Sequence, residues 1–311
     1  MGFEKFDNGW RFANFKDLNK YIHDETEVDK YYSNYMKKYS NLFNGSKDID
    51  VIEWQIRIRR ALKELFTSAS FYIESKKMLE EKYYSSYYYL TYYCYFHALL
   101  GNLYLLPEKK VDDLLNISHS KVINSFNSNF CLGKYGIIKD DVKKNFGTLK
   151  FMREYYSYNM PLNEYLDEIK GITQPYLFLE EAIKPLFQLI SLHSLMLEKC
   201  YLKFFKSIPK TMTKMEEQNF IVETFLKINA VKHPYENKEL LDWSDKRALM
   251  EMRNYGYTIQ FILIDMEHFM DDFRCMSKDR SDDEINIFVE KVLFDYERAN
   301  KYTASLLEKQ K

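Results

Sequence analysis

A chain of 311 residues with 46% hydrophobic content is long enough for two domains or one large one, and too apolar for a disordered protein. Only 9 glycines and 6 prolines punctuate it, which suits long uninterrupted helices and disfavours a meander of short strands and tight turns. Lys+Arg 45 against Asp+Glu 46 leaves a formal net charge of −1, so no overall field draws the chain to nucleic acid and any RNA contact must be local.

Residues 14–43 carry Phe15, Leu18, Tyr21 and Ile22, then Tyr31, Tyr32, Tyr35, Met36 and Tyr39. These spacings predict one or two amphipathic helices, ended by Asn44-Gly45-Ser46. From Val51 to Glu81 a second pattern runs through Ile52, Ile56, Leu62, Leu65, Ala69 and Ile73, with Arg59, Arg60 and Lys63 on the other side, and predicts a long surface helix. The next predicted helix, 83–106, places Tyr84, Tyr88, Tyr92, Tyr95, Leu99 and Leu103 on one stripe and Tyr89, Tyr93, Phe96 and Leu100 on its neighbour. Two adjacent apolar stripes imply a central helix or a subunit interface. His119–Leu132 and Lys139–Tyr158 predict two more helices, separated by Gly133 and Gly136 and stopped before Pro161. Four helices in about 110 residues are the arithmetic of an antiparallel bundle.

After the Gly171–Pro175 break the apolar spacing continues as helix to Phe205, with Pro185 expected to kink or split it. Thr213 with Glu216 and Ser281 with Glu284 form capping-box patterns at two further helix starts, and 244–275 predicts one long helix with Gly256 inside it. The expected architecture is all-α: an N-terminal extension over 1–50, an antiparallel bundle over 51–170 and a C-terminal helical domain over 171–311.

The uncharged stretch between Lys82 and Glu108 is long enough to cross a bilayer, yet it holds nine tyrosines together with Ser85, Ser86, His97 and Asn102. Those polar groups are costly in hydrocarbon, so the expectation is a buried helix and no membrane. Cys94, Cys131, Cys200 and Cys275 are scattered without a CxxC pair, and the start shows no signal-peptide pattern, which predicts reduced thiols in a cytoplasm. GxxxxGK, GxGxxG, HExxH and GxSxG are all missing, so neither a cofactor nor a metal is expected.

The stretch Tyr87–Leu106, YYYLTYYCYFHALLGNLYLL, resembles the second helix of HEPN domains, in which paired aromatics precede a run of small residues and leucines. ISHSKVINSFNSNF at 117–130 resembles the third helix, and LKFMREYYSYN at 149–159 the fourth, with its Arg153, a polar residue and a Tyr-rich turn. The resemblance covers roughly a third of the chain. It implies a place among ribonucleases, partners of minimal nucleotidyltransferases and accessory subunits of phage defence. Nuclease members pair an Arg, four to six residues of spacing, and a His, because the Arg holds the scissile phosphate while an imidazole moves protons as the ribose 2′-hydroxyl attacks.

This sequence departs from that pattern. Its histidines are His23, His97, His119, His193, His233 and His268, and none follows an arginine at that spacing. After Arg153 the relevant places hold Tyr158, Asn159 and Met160, and after Arg253-Asn254 they hold Thr258, Ile259 and Gln260. Loss of the His favours a non-catalytic HEPN-like subunit of an antiphage defence complex. Such a subunit scaffolds or regulates a separate effector encoded nearby, as the HEPN-like component of the Kongming type does with a sirtuin-like NADase. The alternative is a ribonuclease toxin, partnered by an antitoxin, with a non-standard site around Arg153 and Asn159.

Each candidate also has a plain structural reading. Arg153 suits a salt bridge near a helix end, and His97 and His119 suit packed imidazoles, since no acidic or thiol side chain joins them at ligand spacing. Lys199, Lys203, Lys206, Lys210 and Lys214 suit a solvated face, interrupted by Pro209, more than an RNA-binding stripe. The stripes of 83–106 exceed what a small bundle buries, so a homodimer or hetero-oligomer is expected to use Tyr88, Tyr92, Tyr95 and Leu99 as interface.

Overall fold

The computed structural model describes residues 2–7, 11–22, 24–132, 135–159, 175–264, 266, 269–270 and 282–309. Twelve helices can be followed in them: α1 Lys16–Asn19, α2 Glu25–Phe43, α3 Asp48–Glu80, α4 Tyr84–Tyr104, α5 Val111–Leu115, α6 His119–Phe126, α7 Val142–Tyr158, α8 Pro175–Phe204, α9 Lys214–Asn229, α10 Trp243–Tyr255, α11 Asp282–Leu293 and α12 Tyr296–Lys309. One hairpin, β1 Val231–Lys232 against β2 Glu239–Leu240, is the strand pairing among the described residues apart from a single bridge between Ala13 and Phe294. The protein is an all-α bundle, and none of its described helices is long and apolar enough to cross a membrane.

Local chemistry starts the helices where the caps are good. The Asp24 carboxylate accepts the Glu27 N–H at 3.0 Å to open α2, and Thr213 and Glu216 form the expected capping box of α9. The second expected box falls on Ser281, outside the described residues. α2 then buries Val28, Tyr31, Tyr35, Tyr39 and Phe43, one face at steps of three and four.

α3 and α4 form an antiparallel hairpin of helices. Ser68 donates to the Cys94 carbonyl at 2.7 Å, and further along Arg57 donates to the carbonyls of Tyr104 and Leu106 at 2.7 and 3.0 Å. Arg57 thereby satisfies carbonyls left open at the end of α4. The expected surface helix is in fact interior: α3 buries not only its apolar stripe but Arg57, Glu64, Ser68 and Ser75, because α4, α8, α9 and α11 surround it. Arg59 and Lys63, on its other side, bind Asp242 and Asp245 at the start of α10.

α8 runs through the middle of the molecule, burying Ile183, Leu186, Phe187, Leu189, Ile190, Leu192, Met196 and Leu197. Pro185 neither ends nor splits it; one lost backbone hydrogen bond is outweighed by the burial on both sides of the ring. A Cβ on Gly101 would come 2.8 Å from Ile190 Cδ1, so glycine is what lets α4 and α8 approach there. Most of the buried apolar side chains, from Phe3 to Leu293, join in one core cluster, and Tyr87, Tyr88 and Met152 form a smaller second one.

Two other expectations are corrected. The helix expected over 244–275 ends at Tyr255, because Gly256 takes φ +90°, a turn conformation that stops the helix. The chain then runs along α8, where the Phe261 N–H donates to Glu198 at 3.1 Å and the Ile262 N–H to Ser194 at 3.2 Å. The helix expected over His119–Leu132 changes at Asn127 into a wider turn of π type through Cys131.

Candidate functional site on α4, α6 and α7

Tyr88, Tyr92, Tyr95 and Leu99, expected at a subunit interface, are all buried within the chain. Tyr88 stacks on Tyr156 of α7 with ring centres 4.5 Å apart, Tyr92 packs on Phe146, and Leu99 is fully enclosed. α3, α7, α6 and α8 all pack on α4 and cover these four side chains within the chain.

The half-covered face of α4 lies between those contacts and carries Tyr89, Tyr93 and His97 at steps of four. Around it other helices bring polar groups. The Arg153 guanidinium of α7 lies over the Tyr92 ring, 4.7 Å from its centre. The Tyr92 hydroxyl is 2.5 Å from Nδ1 of His119, the first residue of α6. Phe96 and Tyr93 pack on the His119 ring at 4.3 and 5.8 Å. Arg153 has one ion pair among the described residues, with the adjacent Glu154 at 3.4 Å, and its buried Nε has no hydrogen-bond partner there.

Electrostatics follow from this packing. Burial pushes the Tyr92 phenol up to about 12 against the pull of Arg153, so it stays protonated near neutral pH. Burial also lowers the His119 imidazole below its ordinary value, and the positive charges of Arg153 and Lys150 add to the shift. A neutral imidazole with Nδ1 tied to a phenol is left with Nε2 for proton transfer.

A second imidazole lies on the same face. His97 Nδ1 is 2.5 Å from Glu64 Oε2, while Arg60 reaches Glu64 Oε1 at the same distance. Burial alone would raise the Glu64 carboxyl; the hydrogen bond from His97 and the charge of Arg60 overcome it and hold the group below its usual range. Tyr93 is within 6.3 Å of the His97 ring and 5.8 Å of the His119 ring, so both histidines border one tyrosine.

Asn159 does not join this cluster. It is an exposed residue just beyond the last turn of α7, its N–H bonded to the Tyr155 carbonyl at 3.0 Å. Six residues on a helix amount to a rotation of about 240° beyond a full turn, which takes it off the face that carries Arg153. The lysine stripe is also dispersed: α8 ends at Phe204, and Lys199 donates to the Phe6 carbonyl in a half-buried position that lowers its ammonium group's pKa. What sequence spacing missed is His119 as the neighbour of Arg153, since the two come from different helices and are joined through Tyr92.

No protein-family model matches the chain, and no curated protein or solved structure matches it either. The HEPN resemblance therefore rests on the three sequence stretches alone.

Proposed function

We propose that the Arg153–Tyr92–His119 cluster is an endoribonuclease site in a HEPN-like cytoplasmic protein. The observation that carries this reading is that Arg153 and His119 engage the same tyrosine, one on its face and one at its hydroxyl. The proton carrier that no arginine has at nuclease spacing in the sequence is thus at hand from another helix. Arg153 holds the scissile phosphodiester and offsets the charge that develops on its oxygens. His119 takes the proton of the ribose 2′-hydroxyl as that oxygen attacks phosphorus; the bond to the 5′-oxygen breaks, solvent protonates the leaving oxygen, and a 2′,3′-cyclic phosphate remains. The phosphate's negative charge also counters Arg153's effect on His119, easing its protonation in the bound state.

The test is incubation of the purified chain with a single-stranded RNA and identification of cyclic-phosphate ends. His119→Ala and Arg153→Ala are each expected to slow cleavage by about 100-fold with helix content unchanged. Absence of cleavage above background, or full activity in both variants, overturns the reading.

A second reading, a non-catalytic subunit that scaffolds a separate effector, is favoured by a different surface. The hairpin and α10 expose Val231, Tyr235, Leu240, Trp243, Met250 and Tyr255, with Tyr235 93% and Tyr255 88% accessible. Apolar groups at this density suit a protein partner or a second copy of the chain. Co-purification with neighbouring gene products, lost on Tyr235→Asp and Tyr255→Asp, is its expected outcome; unchanged recovery of the partner by that double variant sinks it.

A further inference from the structure

A cavity of about 560 Å³ opens beside the candidate site, between the last turns of α3, the first turns of α4 and the end of α7. Its lining includes Glu74 and Lys77 from α3, Ser85, Ser86 and Tyr89 from α4, and Ser157 from α7. Its volume is in the range of small-molecule sites, and its lining combines one flat aromatic wall with an acceptor, a cation and three hydroxyls. Tyr89 joins it to the cluster: its ring is 4.7 Å from Tyr93, the Tyr93 ring is 5.0 Å from Tyr92, and Arg153 acts electrostatically on the Tyr89 phenol. A phosphate at Arg153 and a ring on Tyr89 are therefore neighbours along one short aromatic track.

We propose that this cavity holds a guanine base of single-stranded RNA, stacked on Tyr89 and hydrogen-bonded by Glu74, next to the phosphate bound at Arg153. The proposal deepens the ribonuclease reading and rests on it for the position of the phosphate. Guanine is selected by donor and acceptor order. Its N1–H and N2–H lie side by side and suit the two oxygens of a carboxylate, while its O6 and N7 accept from an ammonium group such as Lys77. Adenine and cytosine turn a ring-nitrogen acceptor toward the same carboxylate, and uracil offers one N–H between two carbonyls. Glu74 is oriented for this by the Ser70 hydroxyl, which donates to Oε1 at 3.0 Å. The Lys77 pair with Glu284 is long, 3.5 Å, and half exposed, so a ligand oxygen can replace it. Tyr89 has 47% of its surface accessible, enough for a base to stack on it.

The experiment uses the full chain and fluorescently labelled 2′-O-methyl oligouridine strands carrying one central G, A or C, which lack the attacking hydroxyl and cannot be cleaved. The G strand is expected to bind about tenfold tighter than the others, with the advantage lost in Glu74→Gln and affinity for every strand reduced in Tyr89→Ala. Equal affinity for all three strands, or a guanine preference that survives Glu74→Gln, overturns the proposal. Cleavage of ordinary RNA without guanine preference in binding defeats this inference alone. A guanine preference without cleavage defeats the catalytic reading and leaves the base site standing. Neither binding nor cleavage overturns both.

Discussion

Arg153 and His119 are 34 residues apart in sequence and meet at one side chain: the guanidinium lies 4.7 Å above the Tyr92 ring, and the imidazole is 2.5 Å from the Tyr92 hydroxyl. Each restrains the other's chemistry. Tyr92 fixes Nδ1 of the imidazole, and the cation adds to the burial that keeps the ring neutral.

The pH dependence of cleavage is the first consequence. Because the His119 pKa is lowered, the acid limb of kcat/KM should fall below the ordinary imidazole value of 6.5. Arg153→Gln removes a positive neighbour, which makes protonation easier and should move the limb of the residual activity upward. A limb unmoved in Arg153→Gln, measured between about pH 4.5 and 8, would separate the two residues.

His193 should make the fold acid-sensitive. It is wholly buried between Tyr31 and Tyr39, whose hydroxyls are 2.8 Å from Nε2 and 2.6 Å from Nδ1. Tyr39 also donates to the Leu105 carbonyl at 2.8 Å, so it accepts from Nδ1–H, and Nε2 accepts from Tyr31. Burial lowers this imidazole to about 3 from an ordinary 6.5. The unfolded chain therefore binds the extra proton, and stability that is complete above pH 6.5 declines as pH falls toward 3. At pH 4.5 the loss is roughly 3 kcal/mol. Urea midpoints of His193→Gln, which keeps a donor and an acceptor and does not titrate, should vary less between those pH values than those of the parent; an equal slope would refute the assignment.

Glu64 should be a structural keystone as well as the support of His97. Glu64→Gln leaves Arg60 three-quarters buried without its carboxylate, at a cost of about 2 kcal/mol in thermal or denaturant unfolding. In the parent the depressed carboxyl pKa gives stability that is present above the ordinary value of 4.5 and lost as pH falls through the folded value. Glu64→Gln should lack that component; an unchanged melting temperature in the variant would place the ion pair's contribution near zero.

Leu99 distinguishes core from interface. With no accessible surface, Leu99→Ala should cost about 3 kcal/mol, and Leu99→Asp should abolish the helical circular dichroism signal. A Leu99→Asp protein that keeps its helix content and only changes oligomeric state in light scattering would mean that this face meets a partner after all.

The sequence by itself determined the helices whose apolar residues recur at three and four: α2, α3, α4, α7 and α9 lie close to where spacing and capping residues place them. It also singled out Arg153 as a candidate, either for a phosphate or for a salt bridge near a helix end. Tertiary structure decided how those helices cover one another. The two stripes of α4 read equally well as core or interface, because helical periodicity reports which face is apolar and not what covers it. Arg59 and Lys63 read as solvated until α10 brings Asp242 and Asp245 to them. Gly256 reads as a tolerated helical glycine until its φ of +90° ends α10. The Arg153–His119 relationship was beyond any linear motif for the same reason: a motif records neighbours along one helix, whereas this pair is made by α6 and α7 docking on opposite parts of a tyrosine from α4.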